Sequence, residues 1–221
     1  SPLGAQCATG AGEDVYDRSK LPVLNIPVGM IDIPEEQAQR EYVVNLEKDG
    51  NMVFMSSAGY GKTMFLMTAV LSLALQNQVE DLNFYILDFG NSALIPLNGL
   101  PHTADYMVYD DAEKMDKFMK LIQEEIAVRK KLFAEKMVQN FSVYNQTNGE
   151  HLKAIVIVVD NFDVVRELGV DAENFFTRVS RDGAGLGIYL LITATRVNGV
   201  KYSILNNFKM KIAGFLFDAM E

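Results

Sequence analysis

With a single cysteine, Cys7, in 221 residues, the chain has no internal partner for a disulfide, which excludes a disulfide framework and suits a reducing compartment. No apolar run approaches the roughly 18–20 residues needed to span a bilayer as a helix. Residues 1–20 are too small, polar and acidic to read as a signal peptide. Positive charge is also scarce: 20 Lys and Arg stand against 29 Asp and Glu, a formal net charge of −9. That balance disfavours non-specific binding to nucleic acid or an anionic membrane, because phosphate-rich surfaces are held by clustered Lys and Arg. There is no internal repeat and no low-complexity tract.

What is present fits one α/β domain. The 49% hydrophobic content with 22% charged residues is that of a globular chain with a sizeable core. Residues 1–20 read as a linker or cloning-derived lead-in to a domain over 21–221, expected to be a cytosolic piece of a larger protein. From residue 21 short β-rich runs alternate with longer helical ones. The runs at 24–31, 42–46, 52–55, 84–89, 154–160, 187–195 and 210–217 predict strands, and an edge element after the last is expected to be missing. Those at 154–159 and 188–194 are continuously apolar, as in parallel strands covered on both faces. Helices are predicted over 62–76, apolar nearly all round and so expected to be deeply packed, over 111–137 and over 171–182. Asp110 and Glu113 suggest a capping box for the second, and Gly183 a stop for the third.

The chemistry starts at FMSSAGYGKTMF, residues 54–65. A strand, a small-residue turn and Lys-Thr opening a helix form the context of a P-loop. Successive backbone N–H groups of Ser56, Ser57, Ala58, Gly59, Tyr60 and Gly61 would make an anion nest at a helix N-terminus. Lys62 would reach the β- and γ-phosphates of ATP, and the Thr63 hydroxyl would hold Mg²⁺. Ser56 stands where the pattern asks for glycine. A positive φ there would cost serine roughly 1–2 kcal/mol, and a negative one almost nothing.

About a hundred residues on, AIVIVVDNFD (154–163) is an apolar strand ending in Asp160, placed to hold Mg²⁺ through water. The next residue in such sites is normally a glutamate that polarises the attacking water. Here it is Asn161, whose amide cannot take that proton at neutral pH. Asp163 would substitute only if the turn bends it back; the plainer reading is a helix cap. Thr195, ending the strand at 187–195, faces the crevice where strand C-termini converge. Arg178, Arg181 and Arg196 are candidates for reaching a neighbouring subunit's phosphates, or else surface charge.

Together these blocks resemble the FtsK/SpoIIIE-type ATPases, and most of all the EssC/EccC-type coupling ATPases of type VII secretion. The residues that carry the resemblance are PVGMIDIPEEQAQ (27–39), SSAGYGKTMFLMT (56–68), FYILDFGNSALIPLNGLPH (84–102), the helix from DDAEKMDKF to EEIAVRKKLF (110–133), IVIVVDNFD (155–163) and SRDGAGLGIYLLITATR (180–196). The resemblance implies a RecA-like P-loop core, a mostly parallel sheet flanked by helices on both faces. It implies nucleotide at Lys62, Thr63 and Asp160. It also implies a membrane-anchored, Firmicutes-type parent with several ATPase modules on its cytoplasmic face, of which this would be the degenerate last. Expected partners are the other modules and small helical WXG-type secretion substrates, with a homo-hexameric ring as the assembly and no nucleic acid. A hydrolysis-competent ATPase completed by a neighbouring subunit is the alternative, and a DNA translocase a remoter one.

Overall fold

The computed structural model describes residues 21–33 and 38–214. The lead-in at 1–20, the middle of the 27–39 block and the end of the last predicted strand lie outside them. The described elements run β1 (Asn25–Ile33), β2 (Ala38–Asn45), α1 (Leu46–Asp49), β3 (Met52–Met55), α2 (Lys62–Gln76), β4 (Leu82–Asp88), β5 (Thr103–Val108), α3 (Ala112–Lys136), α4 (Phe141–Thr147), β6 (Ala154–Asp160), α5 (Val170–Asp182), β7 (Ile188–Ala194), α6 (Tyr202–Leu205) and β8 (Met210–Ala213).

Strands β3 to β8 form one six-stranded sheet in the order β5-β4-β6-β7-β3-β8, with every pairing parallel. β1 and β2 make a separate antiparallel hairpin. Every residue of β6 and β7 is buried, so both faces of the central sheet are covered, as their unbroken apolar sequences require. Side chains alternate between faces along a strand. Asp160 reaches α2 on one face, while Tyr85, of opposite parity to Asp88, the register partner of Asp160, packs at a tilt on Phe118 of α3. Phe118 in turn meets Phe175 of α5 edge-on. The sheet is thus sandwiched between α2 and the α3–α5 pair.

Several expectations are corrected. β5 and α4 were not predicted from the sequence. α2 is buried only along Leu66, Ala69, Val70 and Leu73; Met64 is 67% and Leu75 89% exposed, so apolar composition all round did not mean burial all round. α3 starts after Asp111, whose side chain makes no capping bond. Glu113 pairs with Lys117 instead, and the Asp110–Glu113 box does not form. Gly183 does end α5, but with φ −70°. It must be small because a Cβ there would lie 2.5 Å from the Ile188 carbonyl oxygen and 2.6 Å from that of Val179.

Candidate functional site

In a parallel sheet the C-terminal strand ends share one edge, and loops leaving them form the ligand crevice. At that edge β7 lies between β3 and β6, so the turn after β3 and the carboxylate ending β6 face each other across one strand.

The turn after β3 begins at Ser56, whose N–H donates to the Ala194 carbonyl of β7 (3.1 Å). Ser56 is fully buried and is not among the described residues with positive φ. The serine therefore carries no backbone strain, and the departure from glycine is absorbed. Gly59 (φ 81°) and Gly61 (φ 87°) do adopt the left-handed conformation that side chains resist. Gly61 is the N-cap of α2, and no acidic residue occupies that helix's first turn. The helix end thus keeps its partial positive charge. Lys62 Nζ donates to the carbonyls of Ser56 (2.6 Å) and Ser57 (3.0 Å). Partial burial lowers its pKa, opposed by the charges of Asp160 and Asp163.

Across the crevice, Asp160 is buried and both its oxygens are held. Oδ2 accepts from the Thr63 hydroxyl (2.9 Å) and Oδ1 from the Thr193 hydroxyl (2.6 Å). Thr193 also accepts from the Asn161 N–H (2.9 Å). Thr193 was not predicted; its signal was present, since alternation along ITAT puts it on the same face as Thr195. Asn161 has φ 62°, a conformation asparagine tolerates better than most residues. Its amide donates to the Phe89 carbonyl at the end of β4 (3.3 Å). Asp163 is not a helix cap. The segment Phe162–Leu168 is a 3-10 turn begun by Asn161, and Asp163 Oδ2 accepts from the Thr195 N–H across the crevice (2.8 Å). Its other oxygen is buried beside Gly199.

A second unpredicted residue is the carboxylate Asp88, register partner of Asp160 on the neighbouring strand. Its Oδ2 accepts from Leu94 N–H (2.9 Å) and from the Tyr106 hydroxyl (2.8 Å). Burial and this bond push the Tyr106 hydroxyl pKa up to about 12.

Of the three arginines, Arg178 and Arg196 are exposed and make no ion pair among the described residues, whereas Arg181 is held by Asp182 (2.8 and 3.2 Å). Arg181 also lines a cavity of about 700 Å³ with Asn51, Phe141, Tyr189 and Lys209. That cavity is at the N-terminal strand edge, away from Lys62 and Asp160, and is not part of this site.

Chemically, the turn offers backbone donors, an ammonium and a helix N-terminus to an anion. The Thr63 hydroxyl beside the Asp160 carboxylate is a donor set of the hard-oxygen kind suited to Mg²⁺. The residues fit a magnesium nucleotide. The side chain at 161 offers no carboxylate.

The FtsK/SpoIIIE family model matches residues 19–213. The ESX secretion system protein EccC of Geobacillus thermodenitrificans is 45% identical over 195 residues, covering 88% of this chain and 13% of that relative. The chain therefore spans about an eighth of the length of such relatives. The structure of EssC ATPases 2 and 3 from the same organism superposes with TM-score 0.86 at 44% identity, covering 91% of this chain and 39% of that one. Thermomonospora curvata EccC (ATPases 2 and 3), in complex with a signal sequence peptide, gives 0.82 at 25% identity, covering 99% and 40%.

Proposed function

The chain belongs to the FtsK/SpoIIIE family, and from that premise we propose that it is a nucleotide-binding module of a type VII secretion motor, one that holds ATP with Mg²⁺ and hydrolyses it slowly. The observation that carries this reading is the juxtaposition of Lys62, Thr63 and Asp160 across one strand. Lys62 turns from the Ser56 and Ser57 carbonyls to the β- and γ-phosphates, exchanging two neutral acceptors for anionic ones. Thr63 and Asp160 would give up their mutual bond to hold the metal. Bound Mg²⁺ neutralises charge across the phosphates. Asn161 cannot accept a proton from water, so hydrolysis lacks its usual base.

In this reading the module is a degenerate, regulatory one, the last of a Firmicutes-type chain on the cytoplasmic face of the membrane. It contributes to docking small helical WXG-type substrates, an idea supported by the signal peptide held by the T. curvata relative. Its other partners are the sister modules and copies in a hexameric ring. One observation favours the ring-completed ATPase as a second reading: Arg178 and Arg196 are exposed and make no ion pair among the described residues, so they are available to a neighbour. Arg181 is less suited, being engaged by Asp182.

Calorimetric titration with ATP and Mg²⁺ tests the proposal. One saturable site is expected, weakened at least about 100-fold in Lys62→Ala, equivalent to about 2.7 kcal/mol. Binding unchanged by that substitution would sink it.

A further inference from the structure

Asp88 is 2% exposed, and while its Oδ2 takes two hydrogen bonds, its buried Oδ1 takes none among the described residues. A buried carboxylate oxygen without a donor is costly and calls for a reason. Tyr106 and Leu94 account for the other oxygen only. The neighbourhood of Oδ1 supplies the reason. Asp88 and Asp160 are register partners on adjacent parallel strands, so they project to the same face at the same height. Gly90, exposed and just beyond β4, lies beside both. A Cβ there would sit 2.9 Å from Asp160 Oδ2 and 3.9 Å from Asp88 Oδ1. The glycine leaves a gap beside Asp160 Oδ2, with Asp88 Oδ1 at its edge. Asn161 borders the same gap, its amide tied to the carbonyl of Phe89 between Asp88 and Gly90.

We propose that Asp88 is a catalytic residue of the nucleotide site: its Oδ1 accepts a hydrogen bond from the water that attacks ATP, a role the side chain at 161 has vacated. This rests on the proposed nucleotide site and adds to it a group from a different strand. In the step, the water oxygen bonds to the γ-phosphorus. The bond from that phosphorus to the β–γ bridging oxygen breaks, and its electron pair leaves on ADP. The water proton passes to a γ-phosphoryl oxygen. Asp88 fixes the direction of the water and takes no proton, so turnover is slow but not zero.

The experiment compares the full chain with Asp88→Asn and Tyr106→Phe. An asparagine keeps an oxygen for Leu94 and Tyr106 and turns an amide N–H₂, which cannot accept, into the gap. Asp88→Asn is expected to leave Mg·ATP affinity within about threefold. Its single-turnover hydrolysis falls about 100-fold, the scale of a misplaced reacting group, and vanadate no longer tightens ADP binding. Tyr106→Phe removes a contact of the same carboxylate without touching Oδ1, and should keep rate and vanadate response within about threefold. A rate unchanged in Asp88→Asn overturns the proposal. So does an equal loss in Tyr106→Phe, which would make Asp88 a structural anchor. ATP binding with no hydrolysis above Lys62→Ala overturns the inference alone, whereas no ATP binding overturns the nucleotide site and the inference together.

Discussion

The two walls of the crevice each depart from the motif by one residue, with opposite consequences. On the P-loop wall, Ser56 replaces a glycine, but that position is asked for backbone, a carbonyl for Lys62 and an N–H for Ala194, while its hydroxyl donates to the Tyr60 carbonyl within the same turn (3.3 Å). Its φ is not positive, so the side chain is carried without backbone strain. On the acidic wall, Asn161 replaces a glutamate at a position whose purpose is its side chain. There the backbone is kept, in the left-handed region at φ 62°, and the carboxylate is absent. A mismatch matters according to whether the position is asked for a backbone or a functional group.

That contrast can be broken or sharpened by substitution. The largest effect is expected from Asn161→Glu, which restores a carboxylate. Hydrolysis should rise by about 10²–10⁴-fold, while the left-handed backbone costs the longer residue roughly 1 kcal/mol of stability; turnover and a melting curve read both. Unchanged turnover would shift attention to a missing group from a neighbour, with Arg196→Ala in an assembled ring as the next variant. Thr193→Val removes the hydroxyl bonded to Asp160 Oδ1 and should cost about 1–3 kcal/mol in denaturant unfolding, because a buried carboxylate oxygen loses its donor. It should also weaken Mg²⁺-dependent nucleotide binding. Ser56→Gly should be the mildest, within about 1 kcal/mol in stability and within threefold in ATP affinity. A large gain in affinity there would mean the P-loop wall is the damaged one.

Much of this was legible in the sequence where the signal is local. β3, α2 and β6 fall on their predicted residues because continuous apolar runs bounded by Gly-Lys-Thr or Asp leave little choice of register. β5, TADYMV, was missed because its edge position needs little apolar content and its burial is mixed. α4, only seven residues long, is too short for periodicity to declare itself. The outer stripe of α2 read as core because composition cannot say which face of a helix meets the sheet. At the site, the juxtaposition of Thr63 and Asp160 next to Lys62 was legible because their spacing is a motif. Thr193, Asp88 and the true partner of Asp163 were not, since each acts through a neighbour on another strand. Asp88 sits inside LDFG as an unremarkable strand-ending acid until β4 is laid beside β6.

The account turns on a site that holds nucleotide yet seldom cuts it. Its most direct test is to load the protein with Mg·ATP, separate free nucleotide rapidly, and identify what stays bound over time. The prediction is one bound nucleotide per chain, recovered mainly as ATP from the wild type, mainly as ADP from Asn161→Glu, and absent from Lys62→Ala. Wild-type protein that yields ADP as fast as Asn161→Glu, or that retains no nucleotide at all, would contradict it.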